Sequence, residues 1–178
     1  MPVLRRDAHR NRERILDVAR ALRSDSATLH LNAVAHHAGV GVGTVYRHFP
    51  STEALREALV EQRFVEMAEA ARSAASRSGE LDTVRGFITE SLQVFSDDPD
   101  FADAVVSSTA AREETRALRA ELFEAFSGLI ARNAEHFRTT LEPADVMVLL
   151  CGIGYAARLR PERSSQYLDA LFDGILAA

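Results

Sequence analysis

Apolar residues recur every three or four positions along nearly the whole chain, as they do on the buried faces of α-helices. No segment shows the strict alternation of apolar and polar residues that a half-buried strand requires. Glycines, prolines and short polar runs interrupt the pattern and mark where the predicted helices end. The sequence therefore predicts an all-α protein, whose first helix should run from Asp7 to about Arg23.

The region from residue 32 to residue 53 contains two short helical patterns separated by a turn. The first pattern places four apolar residues on one face: Leu31, Val34, Ala35 and Ala38. Gly39 follows them directly, where a left-handed backbone at a helix C-terminus favours glycine. The second pattern begins near Val42 and buries Val45 and Phe49. Two short helices joined by a glycine-containing turn predict a helix-turn-helix.

The exposed face of the second helix is suited to DNA. It carries small or hydrogen-bonding residues, namely Gly43, Thr44, Tyr46, Arg47 and His48. Hydroxyl, guanidinium and imidazole groups form hydrogen bonds with base edges and phosphate oxygens. We therefore predict that this helix reads DNA, and that Pro50 and Ser51 end it and begin the next helix.

In this order, the residues resemble the TetR family of helix-turn-helix transcriptional regulators. The matching segments are Val34-Ala35, Ala38-Gly39-Val40, Gly43 to Phe49 and Ser51-x-Glu53-x-Leu55. The resemblance implies an N-terminal three-helix helix-turn-helix domain, joined by a connector helix to a C-terminal helical domain that binds a ligand and dimerises. It further implies a homodimeric repressor that a small hydrophobic ligand releases from a near-palindromic DNA operator.

The resemblance also implies which residues contact DNA. Carried over by position, they are Asn32, Val42, Gly43, Thr44, Tyr46, His48 and Thr52. Arg47 joins them, because its guanidinium is expected on the same face. Many members of the family have lysine at the position of Thr52, so one positive charge toward a phosphate is missing here. Val42 and Gly43 lack hydrogen-bonding side chains, so base reading should depend on Thr44, Arg47, thymine methyl groups and DNA shape.

The charge of the chain is unevenly divided, although the whole carries a net charge of −5. Residues 1–50 contain eight arginines and four acidic residues, whereas residues 51–178 contain 13 arginines and 22 acidic residues. A basic segment attached to an acidic one suits a DNA-binding domain with a regulatory partner domain. We therefore assign residues 1–50 to DNA binding, about 51–75 to the connector helix, and 76–178 to effector binding and dimerisation.

The C-terminal part offers a candidate pocket and a candidate dimer interface. The predicted pocket residues are Phe87, Phe95, Phe101, Thr109, Phe123, Phe126, Met147 and Tyr155. These side chains would bind an apolar ligand that is neutral or cationic. The alternative is that the aromatic rings pack against each other in a core without a pocket. The last two helices carry more apolar residues than one inward stripe requires, which predicts a four-helix interface between two copies. Its predicted residues are Leu149, Gly152, Ile153, Leu168, Leu171, Phe172 and Ile175, with Gly154 also allowing close approach.

No combination of residues in the sequence suggests catalysis or metal binding. The single cysteine, Cys151, lies in an apolar helical pattern, and adjacent helix residues such as His36 and His37 point about 100° apart. We therefore predict no enzymatic activity, no cofactor and no metal.

The lack of a long apolar segment or a secretory signal predicts a cytoplasmic location. The alternative function is a helical small-molecule-binding protein without operator binding, which leaves the face around Tyr46 unexplained.

Overall fold

The computed structural model describes residues 2–24, 29–77, 81–107, 109–137 and 140–176, and within them the chain is helical without a β-strand. The α-helices of this part are α1 Pro2–Ser24, α2 Leu31–Ala38, α3 Val42–His48, α4 Thr52–Ser76, α5 Leu81–Asp97, α6 Pro99–Val106, α7 Glu113–Arg132, α8 Pro143–Leu159 and α9 Ser164–Ile175. Two short 3-10 helices, Ala134–His136 and Pro161–Arg163, flank α8. The all-α prediction is confirmed.

The first helix begins earlier than the sequence pattern indicates. α1 starts at Pro2 and includes Asp7, so Asp7 is not the residue that caps it. Proline suits the first turn of a helix, because its fixed φ is helical and its missing N–H would have no partner there. Within the described residues, no helix has the length and apolar character needed to cross a membrane.

The chain forms two compact units, Met1–Val60 and Glu61–Ala178. The division falls inside α4, which begins in the first unit and ends in the second. In the first unit, one apolar cluster joins α1, α2, α3 and the start of α4, and Ile15, Val34, Val45 and Phe49 in it are fully buried. Burying a large apolar side chain contributes roughly 1.5–3 kcal/mol. The cluster therefore holds α3 firmly by one side.

In the second unit, α5 and α8 approach each other closely at Gly154. A Cβ atom added to Gly154 would lie 2.7 Å from the Cβ of Phe95 and 3.1 Å from its backbone carbonyl carbon. No side chain fits at that distance, so glycine allows the two helices to meet. The expectation that Gly154 faces a second copy is wrong, because α5 of the same chain already occupies this surface.

We expect Gly154→Ala to lower the free energy of unfolding by about 1–3 kcal/mol, the usual effect of overpacking a core. The matched control is Gly128→Ala in α7, where an added Cβ meets no atom within 4 Å. This control should be neutral or slightly stabilising, because alanine favours a helix more than glycine does. Urea denaturation followed by circular dichroism measures both. Equal stability of the two variants would contradict the close contact between α5 and α8.

Candidate nucleic-acid interface

The turn between α2 and α3 is set by Gly39. Its backbone is left-handed, with φ 62° and ψ 35°, as predicted for a glycine that ends a helix. The N–H of Gly39 donates to the carbonyl of His36 at 3.2 Å, and the N–H of Val40 donates to the carbonyl of Ala35 at 3.1 Å. These bonds satisfy carbonyls at the end of α2, and the chain then turns into α3 within three residues.

Helix α3 is anchored by one side and exposed on the other. The carbonyl of Gly41 accepts hydrogen bonds from Thr44 N–H at 2.8 Å and Val45 N–H at 3.3 Å, which starts the helix. Val45, in the middle of α3, is fully buried, as is Phe49 immediately after it. The outward side carries the predicted DNA-contacting residues: Val42 and Tyr46 are 46% and 47% exposed, Gly43 and Arg47 are exposed, and Thr44 and His48 are half-buried.

The helices on either side of α3 begin differently. At the start of α2, the side chain of His30 makes no capping hydrogen bond, and Asn32 is exposed in the first turn. At the start of α4, the hydroxyl of Ser51 accepts a hydrogen bond from Ala54 N–H at 3.1 Å, which is a regular N-cap. Thr52 is the first residue of α4 and is half-buried. Asn32 and Thr52 therefore lie at two helix N-termini, where the backbone N–H groups attract anions.

Arginines of α1 lie beside the turn and the end of α3. The guanidinium of Arg12 lies over the ring of Phe49, 5.9 Å from its centroid, and pairs with Glu13 at 3.4 Å. A guanidinium nitrogen of Arg14 is 3.3 Å from the place that a Cβ on Gly39 would occupy. With Arg47, these side chains place positive charge beside the turn and the end of α3, and such charge attracts a phosphate backbone.

His48 is affected by this positive surrounding. Partial burial lowers its pKa below the ordinary value of 6.5, and the charges of Arg12 and Arg47 lower it further. The imidazole is therefore neutral at pH 7 in the free protein. In this state one ring nitrogen donates a hydrogen bond, so His48 is suited to a polar contact with a phosphate and does not need to be charged.

The N-terminal helices match a known family of proteins. Residues 15–59 match the model described as bacterial regulatory proteins, tetR family. They extend from the buried side of α1 to the first turns of α4 and contain the whole helix-turn-helix. Residues 15–59 therefore form a tetR family domain, which confirms the resemblance seen in the sequence. The match indicates a DNA-binding regulator of transcription.

Solved structures share this fold over nearly the full length of the chain. A TetR transcription regulatory protein from Mycobacterium vanbaalenii is 28% identical, with a TM-score of 0.52, and the match covers 98% of this chain and 99% of that one. A putative tetR family regulator from Shewanella sp. PV-4 has a TM-score of 0.66 at 19% identity, covering 94% and 99%. NalD of Pseudomonas aeruginosa, a secondary repressor of the MexAB-OprM multidrug efflux pump, has a TM-score of 0.60 at 19% identity, covering 96% and 98%. No curated protein matches the chain.

The structure separates the eight residues predicted to line one pocket. Phe87, Phe95, Phe101, Phe126 and Met147 are buried, Phe123 is half-buried, and Thr109 and Tyr155 are exposed. The ring centroids of Phe95 and Phe101 are 5.6 Å apart, and those of Phe87 and Phe126 are 5.9 Å apart. Such ring contacts are typical of a packed core. The rings therefore contact each other, while Thr109 and Tyr155 face outward.

The residues predicted at a dimer interface are also divided. Leu171, Phe172 and Ile175 of α9 are buried within the chain, Ile153 and Leu168 are half-buried, and Leu149 and Gly152 of α8 are exposed. The guanidinium of Arg85 on α5 lies 4.6 Å from the ring centroid of Phe172, so a side chain of the same chain covers this side of α9. The expectation that the three buried residues face a second copy is therefore corrected. The large apolar residues left exposed on α8 are Val148, Leu149, Tyr155 and Leu159.

The lowered pKa of His48 has a consequence for stability. Because the folded protein holds this proton less tightly than the unfolded chain, stability is lost as the pH falls below about 6.5. We expect urea denaturation midpoints to fall less between pH 7.5 and pH 5.5 in His48→Gln than in the original protein. Ala21→Gln, at an exposed position of α1, changes no titrating group and is the control that should keep the original pH dependence. Identical pH dependence in all three proteins would contradict the assignment to His48.

Proposed function

We propose that the protein is a homodimeric repressor that binds a near-palindromic operator and leaves it when a small hydrophobic ligand binds the second unit. The observation that carries this proposal is α3 itself. Its buried side fixes it to the first unit, its exposed side carries small and hydrogen-bonding residues, and arginines of α1 lie beside it. A protruding helix of this kind fits the major groove.

Each exposed residue of the interface has a role in the proposal. Thr44 and Arg47 contact base edges, Val42 contacts a thymine methyl group, and Gly43 leaves room for the helix to approach. Tyr46 and His48 bind phosphates through their hydroxyl and imidazole groups. Asn32 and Thr52 place two helix N-termini against the phosphate backbone, which compensates in part for the lysine that Thr52 replaces.

The dimer in this proposal forms through α8. Val148, Tyr155 and Leu159 are 52%, 56% and 64% exposed and lie on one side of the helix with Gly152. An exposed apolar stripe of this size on a helix costs solvation energy until a partner covers it. A second copy related by a two-fold axis covers it, with Leu149 and Leu168 at the edge. The axis then presents two α3 helices about one DNA turn apart.

Release from the operator requires a ligand that binds the DNA-free form more tightly. A coupling of about 1–3 kcal/mol between ligand and DNA is typical of such regulators. α4 is the element that a ligand in the second unit would have to affect, because the same continuous helix begins in the DNA-binding unit.

The proposal predicts specific binding to duplex fragments selected from genomic DNA, with log affinity falling linearly as log salt concentration rises. Thr44→Ala should reduce the preference for the selected site, because it removes a contact with a base. Tyr46→Phe should weaken selected and random DNA by the same factor, because it removes a contact with a phosphate. Fluorescence anisotropy measures all of these affinities. If the protein enriches no DNA fragment and binds DNA without salt dependence, the alternative function holds, and the protein is a helical ligand-binding protein.

The proposed dimer predicts that a charged residue in the exposed apolar stripe of α8 lowers the mass of the protein in solution from that of a dimer to that of a monomer. Val148→Glu and Leu159→Glu should each produce monomers at micromolar concentration, because a buried carboxylate without a partner is costly. Ala117→Glu, at an exposed position of α7, is the matched control and should remain dimeric. Light scattering after size-exclusion chromatography gives the masses. If the original protein is a monomer, or if the α8 variants stay dimeric, α8 is not the interface.

A further inference from the structure

Two adjoining grooves run between α4 and α5 in the second unit. One has a volume of about 170 Å³ and the other about 470 Å³. Both are lined by Ala70, Phe87 and Glu90, so the two form one continuous groove. We call it the α4–α5 groove. The groove is large enough for a small organic molecule.

The α4–α5 groove has an apolar narrow part, whereas its wider part is also lined by Ser73, Arg77, Asp82 and Thr83. Met67, Phe87 and Val94 supply apolar surface at one end, and Ala70, Ala74 and Gly86 leave the space between the helices empty. An added Cβ on Gly86 would meet no atom within 4 Å, so the glycine opens the groove without being needed for helix packing. The hydroxyl of Ser91 already donates to the carbonyl of Phe87 at 2.7 Å. The narrow part therefore suits the apolar body of a ligand, and the wider part suits a polar group.

The charges along the groove favour a cation. Glu66 pairs with Arg63 at 3.2 Å, and Arg63 also lies 3.9 Å from Asp98, so one guanidinium faces two carboxylates at this end. Glu90, which lines both parts of the groove, has no ion-pair partner in the described part of the chain. Asp82 and Arg77 at the far end balance each other in charge. An uncompensated carboxylate beside Phe87 attracts a positively charged group on an otherwise apolar molecule.

A second groove, between α6 and α8, does not compete for this role. It has a volume of about 290 Å³ and is lined in part by Val148, Gly152 and Tyr155, the residues of the proposed dimer stripe. Burial raises the pKa of Cys151 at its floor to about 12, so the thiol stays neutral. A second copy that covers α8 would cover this groove as well.

We infer that the α4–α5 groove binds an apolar amine, with the aromatic or aliphatic body against Met67 and Phe87 and the ammonium group at Glu90. The inference rests on the proposed function only in treating this amine as the effector. Binding in the groove places the ligand against the helix that continues into the DNA-binding unit. Phe87 lines the groove while its ring contacts that of Phe126 in the core, so the groove is open without any rearrangement of the core.

The chain contains a built-in probe for this site. It has three methionines, of which Met67 lines the groove and Met147 is fully buried on α8. In protein labelled with ¹³C at the methionine methyl groups, NMR titration follows Met67 as the site signal and Met147 as the reference. The ligands are 4-phenylbutylamine, 4-phenylbutanol and 4-phenylbutyrate, which share one apolar body and differ in charge.

We expect the amine to shift Met67 saturably, to leave Met147 in place, and to bind about two- to fivefold more tightly than the alcohol, the range for an exposed ion pair. The carboxylate should bind more weakly than the alcohol. Glu90→Gln should remove the advantage of the amine, whereas Glu69→Gln, an exposed acid of α4 outside the groove, should keep it.

Filling the groove tests its location. Gly86→Leu should weaken all three ligands at least tenfold, and Gly128→Leu, on α7 with equally open space, should weaken none. Ser73→Leu fills the groove from α4 and gives the same test if Gly86→Leu does not fold. The inference would be overturned if a folded variant with leucine in the groove bound the ligands as tightly as the original protein. It would also be overturned if 4-phenylbutyrate bound as tightly as 4-phenylbutylamine. The titrations contain no DNA, so operator binding without amine binding would leave the proposed function intact.

Discussion

The left-handed backbone of Gly39 is the constraint on which the DNA-binding geometry depends. A residue with a Cβ is sterically strained at this positive φ, whereas glycine is not. Glycine therefore allows α2 to end and α3 to start within three residues. Burial of Val45 and Phe49 then fixes the rotation of α3 about its axis. Because one side of a two-turn helix is held in the core, Tyr46 and Arg47 point away from it. The interface is thus a consequence of one turn and two buried side chains.

The positive charge around α3 comes from a different part of the chain. Arg12 and Arg14 belong to α1, yet they lie beside Phe49 and Gly39. Partial burial, followed by the charges of Arg12 and Arg47, lowers the pKa of His48 and keeps it neutral at pH 7. A protein with a net charge of −5 therefore presents a locally basic surface to DNA. The local field at the interface, and not the net charge, governs attraction to phosphates.

The sequence predicted local features well, because neighbouring residues determine them. Helix periodicity, the C-cap at Gly39 and the start of α3 near Val42 follow from backbone preferences and from the spacing of apolar residues. The helix-turn-helix, which lies within the residues matched by the tetR family model, is built from such features.

The partners of apolar residues in the second unit could not be predicted in the same way. The sequence pattern of an apolar stripe on α9 is the same whether the stripe packs within its own chain, as Phe172 does, or against a second copy. Gly154 shows the same ambiguity, because closeness to Phe95 depends on how α5 and α8 cross and not on their periodicity. A surplus of aromatic residues likewise fits a pocket or a packed core, and contacts such as that of Phe95 with Phe101 decide between them. Long-range packing is the information that a single sequence lacks.

Hydroxyl-radical footprinting on a DNA fragment selected by the purified protein tests the central claim most directly. If two α3 helices read one operator, the protein should protect two half-sites with centres about one helical turn, or a whole number of turns, apart on the same face of the duplex. The two protected patches should be related by a dyad in the DNA sequence. Protection of a single patch, of patches on opposite faces, or of no patch would contradict the account.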